Sequence, residues 1–336
     1  MSNSIQLAVV GATGLVGQAV LELLAQRQLP VSRVFAVDAA DKEGETAAYG
    51  NLELDVHPID GFSFENVALA IFAAGSELAR EYAPQARAAG AAVVDFSSAF
   101  REDDSVPLVI PAINGALLAD AGEAALAAVP NCTVTPLALA LAALRPLGLQ
   151  RVSVATYQSV SGSGQAAMEE LADQTTALFS QREAESRVYD KRIAFNVLPQ
   201  IGALDADGVS EEERSLEREL TRLLALPQLQ VEATCVRVPV FFGHAWAVNA
   251  AFEHEFDMEQ ARKRLLAAGL QVVAADKLGG YVTPMEATGN EAVWVSRLRC
   301  KGRTLSFWLA ADNVKAGAAL NCVNIAETLL RQNGLI

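Results

Sequence analysis

The sequence predicts a two-domain α/β protein, in which a parallel, doubly wound sheet is followed by an α+β domain. Three observations predict it. A β-type run, "IQLAVV" (5–10), meets the glycine turn "GATGLVG" and passes into "QAVLELLAQ", whose apolar residues recur at helical spacing. Short apolar strands then alternate with helical stretches. Beyond about residue 130 the texture changes to longer segments that alternate apolar and polar residues, as strands with one face on a core do.

The elements follow in order. After the first strand–turn–helix come strands at "RVFAVD" (33–38), "LAIFAAG" (69–75) and "AAVVDFSS" (91–98), with a helix over 78–89. "VPNCTVTPLALALAAL" (129–144) carries a long apolar helix beginning near Thr133. The second domain has strands at 151–160, 230–240, 245–253 and 292–300 in a mainly antiparallel arrangement, and helices at 165–180 and 210–224. An acidic stretch, 203–214, reads as a solvated loop running into a helix, and 316–332 is helix again. The resulting division is 1–128 with 316–336 for the first domain and 129–315 for the second.

Composition narrows the function. The chain has 336 residues, 51% hydrophobic and 20% charged, enough to bury a large core in two domains. No run reaches the roughly 18 apolar residues of a membrane span, and the N-terminus lacks a signal peptide's basic region and cleavage site, so a cytoplasmic protein is expected. Four scattered cysteines without a C-x-x-C pair, and three histidines, point to reduced thiols and no metal site. The net charge of −14 argues against a nucleic-acid partner. It still admits a small anionic substrate, because a few arginines in a cleft reverse the local sign.

Gly11, Gly14 and Gly17 stand where glycines let a turn tighten, let backbone N–H groups approach a pyrophosphate and let a helix pack closely. A Rossmann-like dinucleotide site is therefore expected on Gly11, Thr13, Gly14, Leu15, Val16 and Gly17. Asp38 ends the second strand, 21 positions after Gly17, where a carboxylate commonly accepts hydrogen bonds from the adenosine ribose. Such an acid repels a 2′-phosphate and suggests NAD; a loop cap is its other reading.

Cys132 precedes the apolar helix, where unpaired N–H groups and the helix dipole favour a thiolate. Position alone leaves a packed thiol and a nucleophile equally open. "CVRVPVFFGHAWAVN" adds Arg237, suited to a carboxylate, and His244, a general acid/base candidate, seven residues apart. His57 and His254 read as surface residues. Phe241, Phe242 and Trp246 serve either an internal core or a homodimer-packing sheet.

With these residues assembled, the chain resembles the aspartate-semialdehyde dehydrogenase family over nearly its whole length. "GATGLVG", "PNC", "YQSVSGSG", "RVPVFFGH" and "ADNVKAGAALN" occur in the family's order, and Asn131 before Cys132 sets it apart from the related N-acetyl-glutamyl-phosphate reductases. The resemblance implies a catalytic and dimerisation role for the second domain, NADP as cofactor, a homodimer, and a place in lysine, threonine and methionine biosynthesis. The reaction it implies is reductive dephosphorylation of β-aspartyl phosphate through a Cys132 thioester. By the same resemblance His244 is the acid/base, Gln158 orients the reacting carbonyl, and Arg237 holds the substrate carboxylate. Glu219 then meets the amino group, Arg101 binds phosphate, and Asn313 lies near the nicotinamide.

Departures from the family pattern cluster near ligands. Ser215 replaces a usual lysine, leaving Arg101 alone or Arg214 as substitute; Phe96, Ser76, Ala112 and the pair Ala245-Trp246 also differ. Asp38-Ala39 stands where NADP users place arginine and serine. These changes resemble the usg-type paralogue branch. They leave two alternatives beside the main reading: a reductase of another acyl phosphate or aldehyde, and a non-catalytic paralogue with a binding role.

Overall fold

The computed structural model describes residues 5–119, 122, 124–274, 276 and 279–336. The chain divides into two compact units, Met1–Asn131 with Ala318–Ile336, and Cys132–Gly317.

The first unit opens with β1 (Ile5–Val10), α1 (Leu15–Arg27) and β2 (Val31–Asp38), then a hairpin of β3 (Thr46–Tyr49) and β4 (Leu52–Pro58). β5 (Leu69–Phe72), α2 (Ser76–Ala88), β6 (Ala92–Asp95), the short α3 (Pro111–Asn114) and β7 (Leu126–Ala128) complete its first stretch. The seven strands lie in the order β3-β4-β2-β1-β5-β6-β7, parallel throughout except for β3 against β4. β1, β5 and β6 are almost wholly buried, which is why they read as continuous apolar runs. The β3–β4 hairpin escapes the sequence reading because only Ala47 and Val56 of its strands are buried, so neither strand shows a clean apolar alternation.

The second unit begins with α4 (Val134–Leu144), β8 (Leu149–Gln158), α5 (Gln165–Phe179) and α6 (Glu211–Leu223). It continues with β9 (Gln230–Arg237), β10 (His244–Phe252), α7 (Met258–Ala267), β11 (Gln271–Val272), the short α8 (Pro284–Ala287), β12 (Trp294–Lys301) and β13 (Thr304–Ala311). Its sheet has the order β11-β12-β13-β10-β8-β9. The three inner pairings are antiparallel and the two outer ones, β11·β12 and β8·β9, are parallel. The sheet is mainly antiparallel, as the sequence leads one to expect, with parallel pairs at its two edges; β9 runs parallel to β8 because the long connection through α5 and α6 returns the chain in the same direction.

Two of the mixed sheet's features place the site. Along β10, His244, Trp246, Val248, Ala250 and Phe252 alternate onto one buried face. In the β8·β9 register Gln158 stands opposite Arg237, at the same strand ends. Trp246 is fully buried and Phe241 is 44% exposed, so the aromatic residues divide between core and surface.

α6 forms as its sequence dictates. Ser210 caps it in a reciprocal box with Glu213, and Glu211, Glu212 and Glu213 occupy the positive end of the helix dipole. Leu216, Leu220 and Leu223 are its buried stripe. The final helix, α9 (Leu320–Gln332), returns to the first unit, where Val323, Ile325, Ala326 and Leu329 join the core formed with α1 and β1. Among the described residues no helix is long and apolar enough to cross a membrane.

Candidate functional site

In the first unit the glycine turn is built as a cradle. Gly11 has φ of 82°, and a Cβ there would lie 2.7 Å from the Ala73 carbonyl oxygen. A Cβ on Gly17 would fall 2.0 Å from the Gly11 carbonyl oxygen, so α1 can lie this close to β1 only with glycine at that position. α1 starts after Gly14 without a side-chain cap, and its first intrahelical bond is donated by Gln18 to the Gly14 carbonyl. The N–H groups of Leu15, Val16 and Gly17 precede that bond, which is what a pyrophosphate would use.

Asp38 is buried and already has partners. Its Oδ2 accepts from Thr13 N at 2.9 Å and Thr13 Oγ1 at 2.8 Å, and its Oδ1 accepts from Ala39 N at 2.8 Å. The carboxylate therefore braces the glycine turn, and lone pairs remain for a ribose hydroxyl. Both sequence readings of Asp38 are compatible with this geometry.

Arg101, also in the first unit, donates from Nε to the Val129 carbonyl at 2.9 Å and from Nη2 to the Phe96 carbonyl, with its guanidinium 5.4 Å from the Phe96 ring centre. It is held rigidly by backbone oxygens. Arg214, in the second unit, pairs with Asp205 at 2.8 Å, Asp207 at 3.3 Å and Glu217 at 3.5 Å around the exposed acidic loop.

The second unit gathers Cys132, His244, Gln158 and Arg237. Cys132 lies one residue before Thr133, the N-cap of α4, and its Sγ is 3.9 Å from His244 Nε2. His244 is completely buried at the start of β10. Burial first, and the Arg237 charge second, push its pKa from 6.5 down to about 3, so the imidazole is neutral. Its Nδ1 faces the Ser159 backbone N–H at 3.1 Å; a backbone N–H can only donate, so the neutral ring carries its proton on Nε2, towards Cys132.

Arg237 is buried and donates from Nη1 to the Ser159 carbonyl at 2.7 Å, while its buried Nε has no partner. That N–H is a charged donor available to an acceptor. Gly162 makes room for both groups, since a Cβ there would lie 2.9 Å from Arg237 Nη1 and 3.4 Å from His244 Nε2. Asn313 is buried next to them: its Oδ1 accepts from Gly243 N at 2.9 Å and lies 3.2 Å from both Ser159 Oγ and Ser161 Oγ.

Gln158 is fixed at both ends of its amide. Thr156 Oγ1 donates to Oε1 at 2.8 Å, and Nε2 donates to Glu212 Oε1 at 3.0 Å, leaving a second amide hydrogen to meet a carbonyl oxygen. The same Glu212 oxygen accepts from Thr133 Oγ1 at 2.7 Å. Sequence reasoning missed Glu212. Glu219, the glutamate it selected, is buried two turns further along α6 and bonded to Ser215 within that helix. The other thiols are poor nucleophiles: burial raises Cys235 to about 12 and pushes Cys300 and Cys322 up as well.

Comparison with known proteins gives the family. Residues 6–121 match the family described as "Semialdehyde dehydrogenase, NAD binding domain", and residues 141–315 match "Semialdehyde dehydrogenase, dimerisation domain". The aspartate-semialdehyde dehydrogenase of Rickettsia conorii is 38% identical over 98% of this chain and 99% of its own length. That of Legionella pneumophila is 38% identical over 99% and 97%. Among solved structures, aspartate semialdehyde dehydrogenase II of Vibrio cholerae, complexed with ASA, is similar with a TM-score of 0.93 at 37% identity, covering 98% of each chain.

Proposed function

The chain belongs to the aspartate-semialdehyde dehydrogenase family, and from that premise we propose that it reduces β-aspartyl phosphate to aspartate semialdehyde through a thioester on Cys132. The observation that carries the reading is the Cys132 Sγ within 3.9 Å of a buried, proton-bearing His244 Nε2, beside a buried arginine with an unsatisfied Nε.

The chemistry follows from those atoms. Cys132 loses its proton to solvent and attacks as thiolate; a new S–C bond forms, the C–O bond to phosphate breaks, and phosphate leaves with that electron pair and takes its proton from water. A bound reduced nicotinamide supplies the hydride that converts the thioester carbonyl. The oxyanion formed at that carbon takes hydrogen bonds from His244 Nε2–H and the second amide hydrogen of Gln158. When it collapses, the C=O re-forms, the C–S bond breaks and the thiolate returns. His244 acts here as donor from a fixed tautomer. Arg237 Nε–H donates to the substrate carboxylate.

The family resemblance puts the substrate ammonium on Glu219. The hydrogen bonds of Glu212 to Gln158 and Thr133 favour Glu212 as the carboxylate beside Cys132. Glu212→Gln should raise KM for aspartate semialdehyde about tenfold or more, whereas Glu219→Gln should act mainly on stability. The reverse result would restore Glu219. Phosphate binding falls to Arg101, with Arg214 engaged by Asp205 and Asp207.

The residues of the glycine turn would hold an NAD(P) pyrophosphate, and the Asp38 carboxylate favours NAD over NADP. A homodimer formed through the second unit and a cytoplasmic location complete the reading. The test is phosphate-dependent oxidation of aspartate semialdehyde, followed at the reduced-nicotinamide absorbance with NAD and NADP separately. Turnover abolished in Cys132→Ala supports the reading; no turnover with either cofactor from folded protein moves it to another acyl substrate or a non-catalytic role.

A further inference from the structure

Thr133, the residue after the nucleophile, is held from two elements. Trp246 stands two positions along β10 from His244, so both side chains leave the same face of the strand. His244 Nε2 reaches Cys132 Sγ at 3.9 Å, and Trp246 Nε1 donates to the Thr133 carbonyl at 3.1 Å. The two rings lie 6.1 Å apart between centroids, and both residues are completely buried. From the other side, Glu212 takes the Thr133 hydroxyl.

We infer that Trp246 is a positioning residue of the reaction: its indole N–H ties the peptide after the nucleophile to the strand that carries the imidazole. Consecutive residues on one segment, Cys132 and Thr133, thereby meet alternate residues on β10, His244 and Trp246. The start of α4 cannot slide along or lift from β10 without breaking that hydrogen bond, so the thiol–imidazole separation is set by one strand. A tryptophan that merely filled the core would leave its N–H to any nearby acceptor or to none. Trp294 Nε1 has no partner, and Trp308 Nε1 donates to the Val282 carbonyl. The Trp246 bond ends on the residue adjoining the nucleophile.

This inference rests on Cys132 being the nucleophile, and the experiment separates the two. Trp246→Phe in the full-length protein keeps an aromatic ring and removes the donor. Steady-state turnover of aspartate semialdehyde is measured with the pH profile of Cys132 alkylation by iodoacetamide, read by mass spectrometry against Cys235, Cys300 and Cys322. The expected result is a fall in kcat of about tenfold to a hundredfold with KM within about twofold, and an alkylation profile displaced from that of the wild type. Wild-type kcat and an unchanged profile would overturn the inference, whatever the variant's Tm.

Should Trp246→Phe not accumulate folded, the wild-type protein still decides. The Trp246 indole N–H resonance, assigned with Trp294→Phe and Trp308→Phe, should shift more than the other two when Cys132 is carboxamidomethylated; no shift overturns the inference. Wild-type Cys132 that labels no faster than Cys300 would instead overturn the nucleophile reading and the inference with it.

Discussion

Gly317 is the most direct handle on the nucleophile's position. It lies in the π-helical turn Lys315–Ala319, and a Cβ built on it would stand 2.9 Å from the Cys132 carbonyl oxygen, 3.1 Å from Cys132 Cβ and 3.3 Å from Cys132 Cα. Ordinary contact begins near 3.4 Å, so Gly317→Ala must displace the Cys132 backbone by roughly half an ångström. Misplacement of about 1 Å at a reacting group can cost about a hundredfold in rate, so half that displacement should cost about tenfold in kcat. Overpacking of this kind should also lower stability by about 1–3 kcal/mol. The assay is kcat and KM for phosphate-dependent oxidation of aspartate semialdehyde, with Tm and the rate of Cys132 alkylation on the same samples. Gly115→Ala is the control, because a Cβ there meets only Pro111 Cβ at 3.6 Å. Wild-type kcat in folded Gly317→Ala would refute the reasoning that turnover depends on where the Cys132 backbone is held.

Two further outcomes follow from charges. His244 is held well below its ordinary pKa, so between about pH 6.5 and about 3 the unfolded chain binds a proton there that the folded chain does not. Stability contributed by keeping His244 neutral is complete above about pH 6.5 and is lost as pH falls, with a slope of up to about 1.4 kcal/mol per pH unit. Urea denaturation at pH 7 and pH 4.5 should show a smaller difference for His244→Gln than for the wild type; equal differences would contradict the burial argument. On the proposed role of Asp38 at the adenosine ribose, Asp38→Ala should move the ratio of NADP to NAD affinity towards NADP by about tenfold in titrations, while also loosening Thr13. An unchanged ratio would reduce Asp38 to a brace of the glycine turn.

The first unit was largely legible because its signals are local. The glycine triplet, the apolar strands and α1 follow from backbone sterics and burial on both faces of a parallel sheet. The second unit's site was legible where chemistry is scarce: three histidines and four cysteines make His244 and Cys132 conspicuous. It was illegible where residues are plentiful. Glu211, Glu212 and Glu213 are identical in sequence and have three different fates. Glu211 is exposed, Glu212 turns to Gln158 and Thr133, and Glu213 closes the capping box and accepts the Cys235 N–H. Helix phase decides among them. Counting back four from the buried Leu216 points to Glu212, a signal the sequence contained. The same phase puts Glu219 on the buried stripe, which is why it bonds within α6 to Ser215.

The neutrality of His244 and the charge of Arg237 are one electrostatic arrangement. Two buried cations this close would repel, so the guanidinium keeps its charge and the imidazole gives up its own. A carboxylate docking on Arg237 would cancel the second cause of the His244 depression and leave the first, desolvation, in place. The His244 pKa should therefore rise on binding a dicarboxylate or amino-acid analogue, yet stay below its ordinary value, so that the ring remains a neutral Nε2–H donor at neutral pH. Nitrogen-15 spectra of the imidazole check both parts: free protein should show the Nε2–H tautomer, and a titration with the analogue should move the acid-limb midpoint upward. A Nδ1–H tautomer would break the link to Ser159. An unmoved midpoint at saturating analogue would show that the carboxylate binds elsewhere than Arg237.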